Sequence, residues 1–426
     1  MPKHKSPSPT TRLWTCVLVA ACCTLAPFAL AEDEQDSTLD YGKPIVVSER
    51  AKKLHAESLL IDGHNDMPWE IRDKANGDFD RLDISKWQST LQTDIPRLRQ
   101  GGVGGQFWSV WVPADYAYRN IARDETIRQI ELVRAMIRRY PEAFELALTS
   151  EDITRIHSEG KIASLIGVEG GHCIEGSLTN LEHLYSLGAR YMTLTHSDTI
   201  PWADSATDDP KHGGLTDFGV QVIERMNEIG MMVDISHVSP ETMHDALDAS
   251  KAPIIFSHSS ARSVADSPRN VPDEVLKRLN TNDEDGVVMV NFFSGFLVPE
   301  AIENYKELFE FRKRVNAEMT EQEAKAAVRQ WRKENPMPRG TIHHLLDHID
   351  HIAEVAGAEH IGIGSDYDGV STLPAQLDDV TAYPYITQGL IDRGYSDEEI
   401  RGILGGNLLR VMRKAEQVAE QYKSEQ

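Results

Sequence analysis

The chain is poor in cysteine. Four cysteines occur among its 426 residues, and three of them, Cys16, Cys22 and Cys23, lie within the first 31 residues. If those residues are removed, Cys173 alone remains, and an intrachain disulfide is then excluded. A chain of this length buries enough apolar surface to be stable without a disulfide.

The chain also lacks an excess of positive charge. Lys and Arg number 44 against 67 Asp and Glu, which gives a formal net charge of -23. The first 31 residues contain basic but no acidic side chains, so their removal would make the charge still more negative. This balance argues against nucleic acid and anionic membranes as partners.

Long apolar runs are confined to the start of the chain. Residues 13–25 are mostly apolar, basic residues precede them, and an A-x-A cleavage motif follows at residues 29–31. We predict a signal peptide over residues 1–31 and a mature chain that begins at Glu32. The apolar run is too short to serve as an uncleaved membrane anchor. No transmembrane segment is expected once the signal peptide is removed.

A lipoprotein cleavage site before Cys22 is the alternative for the leader. The apolar residues that follow Cys22 favour cleavage after Ala31 instead. In both cases the protein would be exported, and we expect a periplasmic or secreted location. Residues 32–47 are polar and acidic and are predicted to form a flexible segment before the folded domain at 48–426.

Apolar, β-branched runs recur along the rest of the chain and alternate with helical patterns. Helix signals include Thr216 and Gly230, which bound an amphipathic segment, and a capping box formed by Ser396 and Glu399. Nearly all-apolar strands that alternate with helices predict a (β/α)8 barrel of the TIM type. Eight runs satisfy the criterion for buried strands, at residues 59–62, 103–112, 162–168, 190–195, 231–235, 253–256, 287–293 and 361–364.

A doubly wound open sheet is the alternative fold. It would need a glycine-rich phosphate turn after the first strand, and GHNDMP at residues 63–68 is not one. Residues 300–335 are charged and helical and predict a helical pair inserted before the last strand. This pair either shapes the mouth of the barrel or is a solvated surface feature. A later helix carries His343, His344, His348 and His351, which we predict to be an exposed polar face.

Histidines and acids follow the ends of most predicted strands. In a parallel barrel the working groups lie just past the carboxyl ends of the strands. A single histidine there is usually an ordinary polar residue, but clustered acids in a buried place need cations to compensate them. The sequence therefore predicts a metal centre from the residues at these positions, which are His64, Asp66, Glu169, His196, His237, His258 and Asp366.

The number of candidate ligands favours two metal ions over one. Three ligands and an open position suffice for a single zinc. Here the candidates are His64, Asp66, Glu169, His237 and His258. A glutamate can bridge two ions, and two ions about 3.5–4 Å apart can share a hydroxide and polarise a carbonyl. The sequence therefore predicts a binuclear centre.

Several segments of the chain resemble a known enzyme family. They occur in family order between about residues 59 and 411, and they read IDGHNDMPW, IPRLRQGGVGGQFWSVW, ASLIGVEGGH, YMTLTHSDTIPWADS, DISHVS, APIIFSHSSAR, SPRNVPD and IGIGSDYDGV. They resemble the membrane (renal) dipeptidase family, also called dehydropeptidase I. The resemblance implies a barrel of the amidohydrolase type, two zinc ions per chain, hydrolysis of dipeptides and a homodimer.

The resemblance also implies a division of the ligands. His64 and Asp66 would hold the first zinc ion, and His237 and His258 the second. Glu169 would bridge the two ions and belongs to the expected catalytic set. The animal members carry cysteines that the mature chain lacks, so the homodimer is expected to form without a disulfide.

Three further roles follow from the same resemblance. His196 would contact the substrate carbonyl or the tetrahedral oxyanion, and Arg269 would pair with the C-terminal carboxylate of the dipeptide. Asp366 would orient the bridging hydroxide, contact the substrate amine or pass a proton to the leaving amine. The residue types suit these roles, because an arginine fork grips a carboxylate and a carboxylate near a metal-bound water carries protons.

The expected reaction is zinc-dependent hydrolysis of dipeptides by a hydroxide that bridges two metal ions. The family further implies D-residues at the C-terminal side and β-lactam opening as a side activity. The alternative on the same scaffold is another amidohydrolase reaction, such as N-acyl amino acid deacylation. Many such relatives bridge their metals with a carboxylated lysine at the end of strand four, where this chain has Thr195 and His196. A binding protein without catalysis would be expected to have lost ligands, and none of the expected ones is missing.

Overall fold

Parallel strands form a closed barrel in the computed structural model, which describes residues 41–279 and 285–425. The predicted signal peptide, the alternative site at Cys22 and the first part of the predicted flexible segment lie outside the described residues. The last part of that segment is held by the barrel. Ile45 is buried, and its backbone N–H and C=O are hydrogen-bonded to the side chain of Gln376.

Nine strands lie in the described part of the chain. Each barrel strand pairs in parallel with its neighbours, and pairing of β2 with β4, from Gly105 opposite Ala163 to Trp111 opposite Glu169, closes the ring. The strands are β1 (Leu60–Asn65), β2 (Val103–Trp111), β3 (Phe144–Leu146), β4 (Ile162–Glu169), β5 (Ala189–Thr193), β6 (Met232–Asp234), β7 (Ile255–Phe256), β8 (Val287–Val290) and β9 (Ile361–Ile363). The predicted (β/α)8 barrel is confirmed.

The short strand β3 was not predicted from the sequence. It pairs only with the first residues of β4, Ile162 to Ser164, and the other eight strands form the barrel. Its three residues are too few to meet a run-length criterion, and only Phe144 among them is fully buried.

Helices cover the outside of the barrel. Thr216 caps α8 through its side chain, Gly230 ends that helix at φ 81°, and the predicted capping box of Ser396 and Glu399 opens α16. The helices are α1 (Glu49–Ala56), α2 (Met67–Ala75), α3 (Ile95–Gln100), α4 (Asp115–Tyr118), α5 (Ala122–Arg139), α6 (Ser150–Ser158), α7 (Leu178–Ser186), α8 (Asp217–Ile229), α9 (Pro240–Ala249), α10 (Asp273–Leu279), α11 (Ser294–Leu297), α12 (Ile302–Glu318), α13 (Glu321–Glu334), α14 (Ile342–Val355), α15 (Tyr383–Asp392), α16 (Asp397–Arg401) and α17 (Asn407–Glu425).

Apolar packing closes one end of the barrel. Ile61, Phe107 and Met289 form an interior cluster that also contains Leu408 and Met412 of α17. Between α16 and α17 the backbone approaches the first strand so closely that a Cβ at Gly405 would lie 2.4 Å from the carbonyl oxygen of Leu59. This plug leaves the opposite end, where the strands finish, for polar groups.

The predicted insertion forms two helices, α12 and α13. A capping box of Thr320 and Glu323 starts α13, and the rings of Phe311 and Trp331 stack between the helices with centroids 5.9 Å apart. Lys325 of α13 also forms an ion pair with Asp73 of α2, at 3.6 Å. The two helices therefore pack on each other, and α13 is linked to α2 of the barrel.

The histidine face of α14 is not the exposed polar face that the sequence predicted, because His343, His344 and His351 are half-buried. His348 is fully buried because α14 packs with this side toward the loops after β7 and β8. Its Nδ1 accepts the N–H of Ala261 at 2.9 Å, and its Nε2 donates to the carbonyl oxygen of Leu297 at 3.1 Å. Burial lowers the pKa of His348 from 6.5 to about 4.

His348 is expected to make the protein less stable in acid. The unfolded chain protonates this side chain near pH 6.5 while the folded chain keeps it neutral to about pH 4. Stability therefore falls as the pH drops through this window, by about 3 kcal/mol at its lower end. We expect His348→Gln, which keeps one donor and one acceptor, to lose less stability between pH 6.5 and 4 in urea unfolding of chelator-treated protein. His343→Gln on the same helix should behave as wild type, and equal losses in all three proteins would contradict the assignment.

Candidate metal centre

The predicted site residues come together at the carboxyl ends of the strands. They end or follow six different strands, and the two from β1 are separated by one residue. They are His64 and Asp66 at β1, Glu169 at β4, His196 after β5, His237 after β6, His258 after β7 and Asp366 after β9. Residues spread over about three hundred positions of sequence therefore share one end of the barrel.

Glu169 lies at the centre of this group. Its Oε1 lies 3.1 Å from His237 Nε2, 3.5 Å from His258 Nε2 and 3.7 Å from His196 Nε2. Its Oε2 lies 3.6 Å from His64 Nε2. The two oxygens of one carboxylate thus face different imidazoles, which is the arrangement that a bridging ligand requires.

The surroundings of Glu169 keep it ionised. Burial alone would raise the pKa of its carboxyl group, but electrostatic interaction with the His64 and His196 rings and the hydrogen bond from His237 outweigh burial and hold the pKa well below its usual range. The Ser109 hydroxyl also donates to Oε2 at 3.2 Å. The centre therefore contains a buried anion whose neighbours all orient toward it.

The donor atoms fit a metal centre. The Nε2 atom of His64 is buried without a hydrogen-bond partner among the described residues, 3.3 Å from Asp66 Oδ2. The Nε2 atoms of His237 and His258 face each other at 2.9 Å, where at most one proton can lie between them. Imidazole nitrogens and carboxylate oxygens are the ligands that zinc and similar first-row metals take. The ligand atoms fall into three overlapping sets within 4.8 Å, which are His64, Glu169 and His258; Glu169, His196 and His237; and His64, Asp66 and Asp366.

The geometry brings His196 closer to the predicted ligands than the sequence indicated. The sequence assigned it to the substrate, yet it shares a set with Glu169 and His237, and its ring lies 4.4 Å from that of His237. Burial lowers the pKa of His196, and burial together with Arg269 lowers that of His237 well below its usual value. Neutral imidazoles are the form that can bind a metal ion.

Tyr191 fixes the orientation of His64. Its hydroxyl lies 3.1 Å from the carbonyl oxygen of Gly63, to which it donates, and 2.9 Å from His64 Nδ1, from which it accepts. The remaining lone pair of His64 is then on Nε2 and points at Glu169. Tyr191 reaches across the barrel over Gly167, where a Cβ would lie 2.0 Å from its ring carbon Cζ. A glycine in β4 is thus required for a tyrosine in β5 to hold a histidine in β1.

A second buried network orients His258. Its Nδ1 lies 2.8 Å from the Ser257 hydroxyl, and that hydroxyl donates to Asp234 Oδ2 at 2.6 Å. Ser257 therefore accepts from Nδ1–H, and the lone pair of Nε2 is directed at the centre. Such partners behind a ligand set its tautomer and its basicity.

A buried aspartate also supports the first strand. Asp62 accepts hydrogen bonds from the hydroxyls of Ser365 and Tyr383 and from the backbone N–H groups of Ser365 and His64. Asp62 and Asp234 were not singled out from the sequence. The available signal was an acid inside each apolar strand, in LLIDGH and MVDISH.

Asp366 is held in a strained position beside Asp66. Its φ is 63°, as His237 has φ 68°, a left-handed conformation that non-glycine residues seldom adopt. The Asn291 side chain donates to its Oδ2 at 2.8 Å. Burial, reinforced by the charge of Asp66, raises the pKa of Asp366 well above its usual value.

Arg269 lies in the wall of the same cavity. It is 2 % exposed, and its Nε has no hydrogen-bond partner among the described residues. Its guanidinium packs over the ring of Phe296 at 5.2 Å and makes two long hydrogen bonds, to Ser259 Oγ at 3.4 Å and to the His258 carbonyl at 3.3 Å. A buried cation that no described carboxylate pairs with is suited to bind an anion that enters the cavity.

The cavity above the centre has a volume of about 600 Å³. Its lining includes every ligand candidate except His64. Trp69 and Trp111 and residues of the inserted helices α12 and α13 also line it. The sequence left open whether the insertion shapes the mouth of the barrel or is a solvated surface feature. The structure supports the first interpretation.

Removal of the Tyr191 hydroxyl is expected to weaken metal binding. In Tyr191→Phe the ring packing is kept but His64 loses the acceptor for Nδ1–H, and its Nε2 lone pair is no longer fixed. We expect the affinity for Zn²⁺ to fall about 10- to 100-fold, measured by competition with a chromophoric chelator. Tyr140→Phe, which removes a distant hydroxyl bonded to Asp83, is the control. Equal affinity in Tyr191→Phe and wild type would show that the hydroxyl does not orient His64.

The comparison with known proteins agrees with this architecture. Dipeptidase 3 of Rattus norvegicus is 39% identical over 377 residues, which cover 87% of this chain and 68% of that protein. Dipeptidase verJ of Clonostachys rogersoniana is 39% identical over 386 residues, with 88% of each chain covered. The crystal structure of a probable dipeptidase from Pseudomonas aeruginosa superposes with a TM-score of 0.75 at 25% identity, over 87% of this chain and 98% of that one.

A fourth relative shares the fold. The crystal structure of a metallo peptidase from Rhodobacter sphaeroides has a TM-score of 0.67 at 22% identity and covers 84% of this chain and all of that one, 100%. The sequence profile of the membrane dipeptidase family, peptidase family M19, matches residues 48–426. This range contains every strand of the barrel and every predicted ligand, and the chain belongs to the membrane dipeptidase family of metallopeptidases.

Proposed function

We propose that this metallo-dipeptidase hydrolyses dipeptides with two zinc ions held around Glu169. The observation that carries the proposal is the placement of the Glu169 carboxylate, whose two oxygens face separate imidazoles. His64 and Asp66 would hold one ion, and His237 and His258 the other. When bound, such a pair of ions lowers the pKa of a water molecule and polarises the peptide carbonyl.

Arg269 would select substrates with a free C-terminal carboxylate. Its guanidinium is buried in the cavity wall, so a carboxylate that reaches it forms a charge-assisted pair out of bulk water. Arg269 also bonds the carbonyl oxygen of His258 at 3.3 Å, so a carboxylate that it binds would lie near the ligand cluster, as a short substrate requires. This arrangement explains why a dipeptide, and not an internal peptide bond of a long chain, would be cleaved.

His196 and Asp366 would act on the two sides of the scissile bond. The Ser197 hydroxyl lies 3.1 Å from His196 Nδ1. When this hydroxyl donates to Nδ1, the ring proton of His196 is on Nε2, which points into the cavity and can donate to the developing oxyanion. Asp366 has one oxygen held by Asn291. Its other oxygen is free to carry a proton to the leaving amine or to accept from the substrate amine.

The proposal extends to dipeptides with a C-terminal D-residue. The Rhodobacter sphaeroides structure contains a phosphinate mimic of the dipeptide L-Ala-D-Ala, and this chain has the same barrel. β-Lactam opening would use the same groups and is included as a side activity.

Export and assembly complete the proposal. We propose that residues 1–31 direct export to the periplasm or the medium and that the chain forms a homodimer without a disulfide. Cys173 is buried and free, and burial raises the pKa of its thiol to about 12, so it is not available to a second chain. Among the described residues no helix is long and apolar enough to cross a membrane.

Metal removal tests the proposed function directly. We expect the protein to cleave L-Ala-L-Ala and L-Ala-D-Ala, to lose this activity in a chelator and to regain it with Zn²⁺. The C-terminal amide of L-Ala-L-Ala should be a poor substrate because Arg269 cannot pair with it, and N-acetylalanine serves as the comparison for deacylation. Failure to cleave any dipeptide, or cleavage that survives chelation and dialysis, would contradict the proposal.

Asp366→Asn tests the proton carrier. The amide is the same size as the carboxyl group and can stay bonded to Asn291, but it cannot exchange a proton. We expect kcat to fall by about 10²- to 10⁴-fold, with the zinc content unchanged in elemental analysis. Asp378→Asn, which removes an exposed carboxylate from the same loop, should keep the wild-type rate. Unchanged kcat in Asp366→Asn would remove this residue from the mechanism.

A further inference from the structure

The inserted helices present only positive charge to the cavity. Three charged residues of α12 and α13 line it, namely Arg312, Lys313 and Arg332, and all are basic. The same helices contain acidic residues, among them Glu307 and Glu310, but these do not line the cavity. The chain as a whole has a net charge of -23, so this basic wall has the opposite sign to the protein.

The basic groups of this wall have no acidic partner in the part of the chain that the structure describes. Among the described side chains, no carboxylate oxygen lies within ion-pair distance, 4.0 Å, of Arg312, Lys313 or Arg332. Partial loss of hydration and the positive charge of Arg312 lower the pKa of Arg332. Lys325 on the same helix is different, because it pairs with Asp73. Neighbouring cations in a concave surface without a counter-charge attract anions.

The basic wall is continuous with the buried Arg269. Tyr305 of α12 lies between them, with its ring 5.3 Å from that of Phe296, over which the Arg269 guanidinium packs at 5.2 Å. The charges of both Arg269 and Arg312 act on the Tyr305 phenol. Positive groups therefore extend from the inner end of the cavity outward along α12.

Acidic residues line the cavity elsewhere. Asp198 and Asp208 follow β5, whereas Arg312, Lys313 and Arg332 lie on the helices inserted after β8. The acidic and basic groups of the cavity therefore come from different parts of the barrel. A substrate with its carboxylate at Arg269 would place the side chain of its C-terminal residue on the basic side, toward α12.

We propose that Arg312 and Arg332 form an anion subsite that favours dipeptides whose C-terminal residue has an acidic side chain. The substrate class is therefore dicarboxylic dipeptides, with the α-carboxylate at Arg269 and the side-chain carboxylate at the inserted helices. This inference rests on the proposed function, since it names the preferred substrates of the same site.

The test compares substrates that differ in charge but hardly in size. We expect kcat/KM of the wild-type enzyme to be about tenfold higher for L-Ala-L-Glu than for L-Ala-L-Gln, the effect of one charge-assisted contact. In Arg312→Gln/Arg332→Gln this ratio should fall to about one, and added salt should lower the wild-type ratio. Lys306→Gln/Arg329→Gln removes the same charge from the same two helices at exposed positions outside the cavity, and it should keep the wild-type ratio.

Each outcome of this experiment has one meaning. Cleavage of both dipeptides with a ratio near one in the wild-type enzyme would overturn the subsite and leave the proposed function standing. An equal ratio in wild type and Arg312→Gln/Arg332→Gln, or an equal loss in the control pair, would also overturn it, because the preference would then not depend on these two arginines. Failure to cleave any dipeptide would overturn the proposed function together with the subsite.

Discussion

The buried carboxylate of Glu169 is the constraint on which the rest of the site depends. A carboxylate removed from water is costly unless hydrogen bonds and opposite charge surround it. Four imidazoles approach its oxygens within 3.1 to 3.7 Å. Each imidazole comes from a different strand, so the barrel must close with correct register for the compensation to exist. The position of one acid thus links the chemistry of the centre to the pairing of the strands.

The layer below the ligands makes that arrangement rigid. Asp62 ties β1 to the turn after β9, and Asp234 ties β6 to β5 and β7 through hydroxyls. Tyr191 connects β5 to β1 across the interior. These bonds join neighbouring and opposite strands just beneath the candidate metal ligands. The histidines are therefore oriented by buried groups that touch neither metal nor substrate, and a polar network of this kind specifies a single geometry only when every member is satisfied.

The barrel and most of the candidate site were predictable because both are local patterns repeated along the chain. An apolar run followed by a histidine or an acid predicts a strand and the polar residue at its carboxyl end. This pattern was enough to predict that His64, Glu169 and His258 lie together. The contacts across the barrel were not predictable in this way. Nothing near Tyr191 in sequence indicates that it reaches His64 over Gly167, and the left-handed backbone at His237 and Asp366 depends on the surrounding loops. The burial of His348 was missed for the same reason, because its partners Ala261 and Leu297 are distant in sequence.

The position of the insertion explains how the substrate range can change while the chemistry is kept. Helices α12 and α13 follow β8, so they begin at the carboxyl end of the barrel, where the cavity opens. Arg312 and Arg332 reach the cavity from outside, whereas the ligands are anchored on the strands below it. With the proposed subsite, a change in the inserted helices would alter which side chain a substrate can carry without moving Glu169 or its imidazoles. In barrels of this type the strands hold the reacting groups and the loops set selectivity. In this protein an inserted helical pair occupies the position of such a loop.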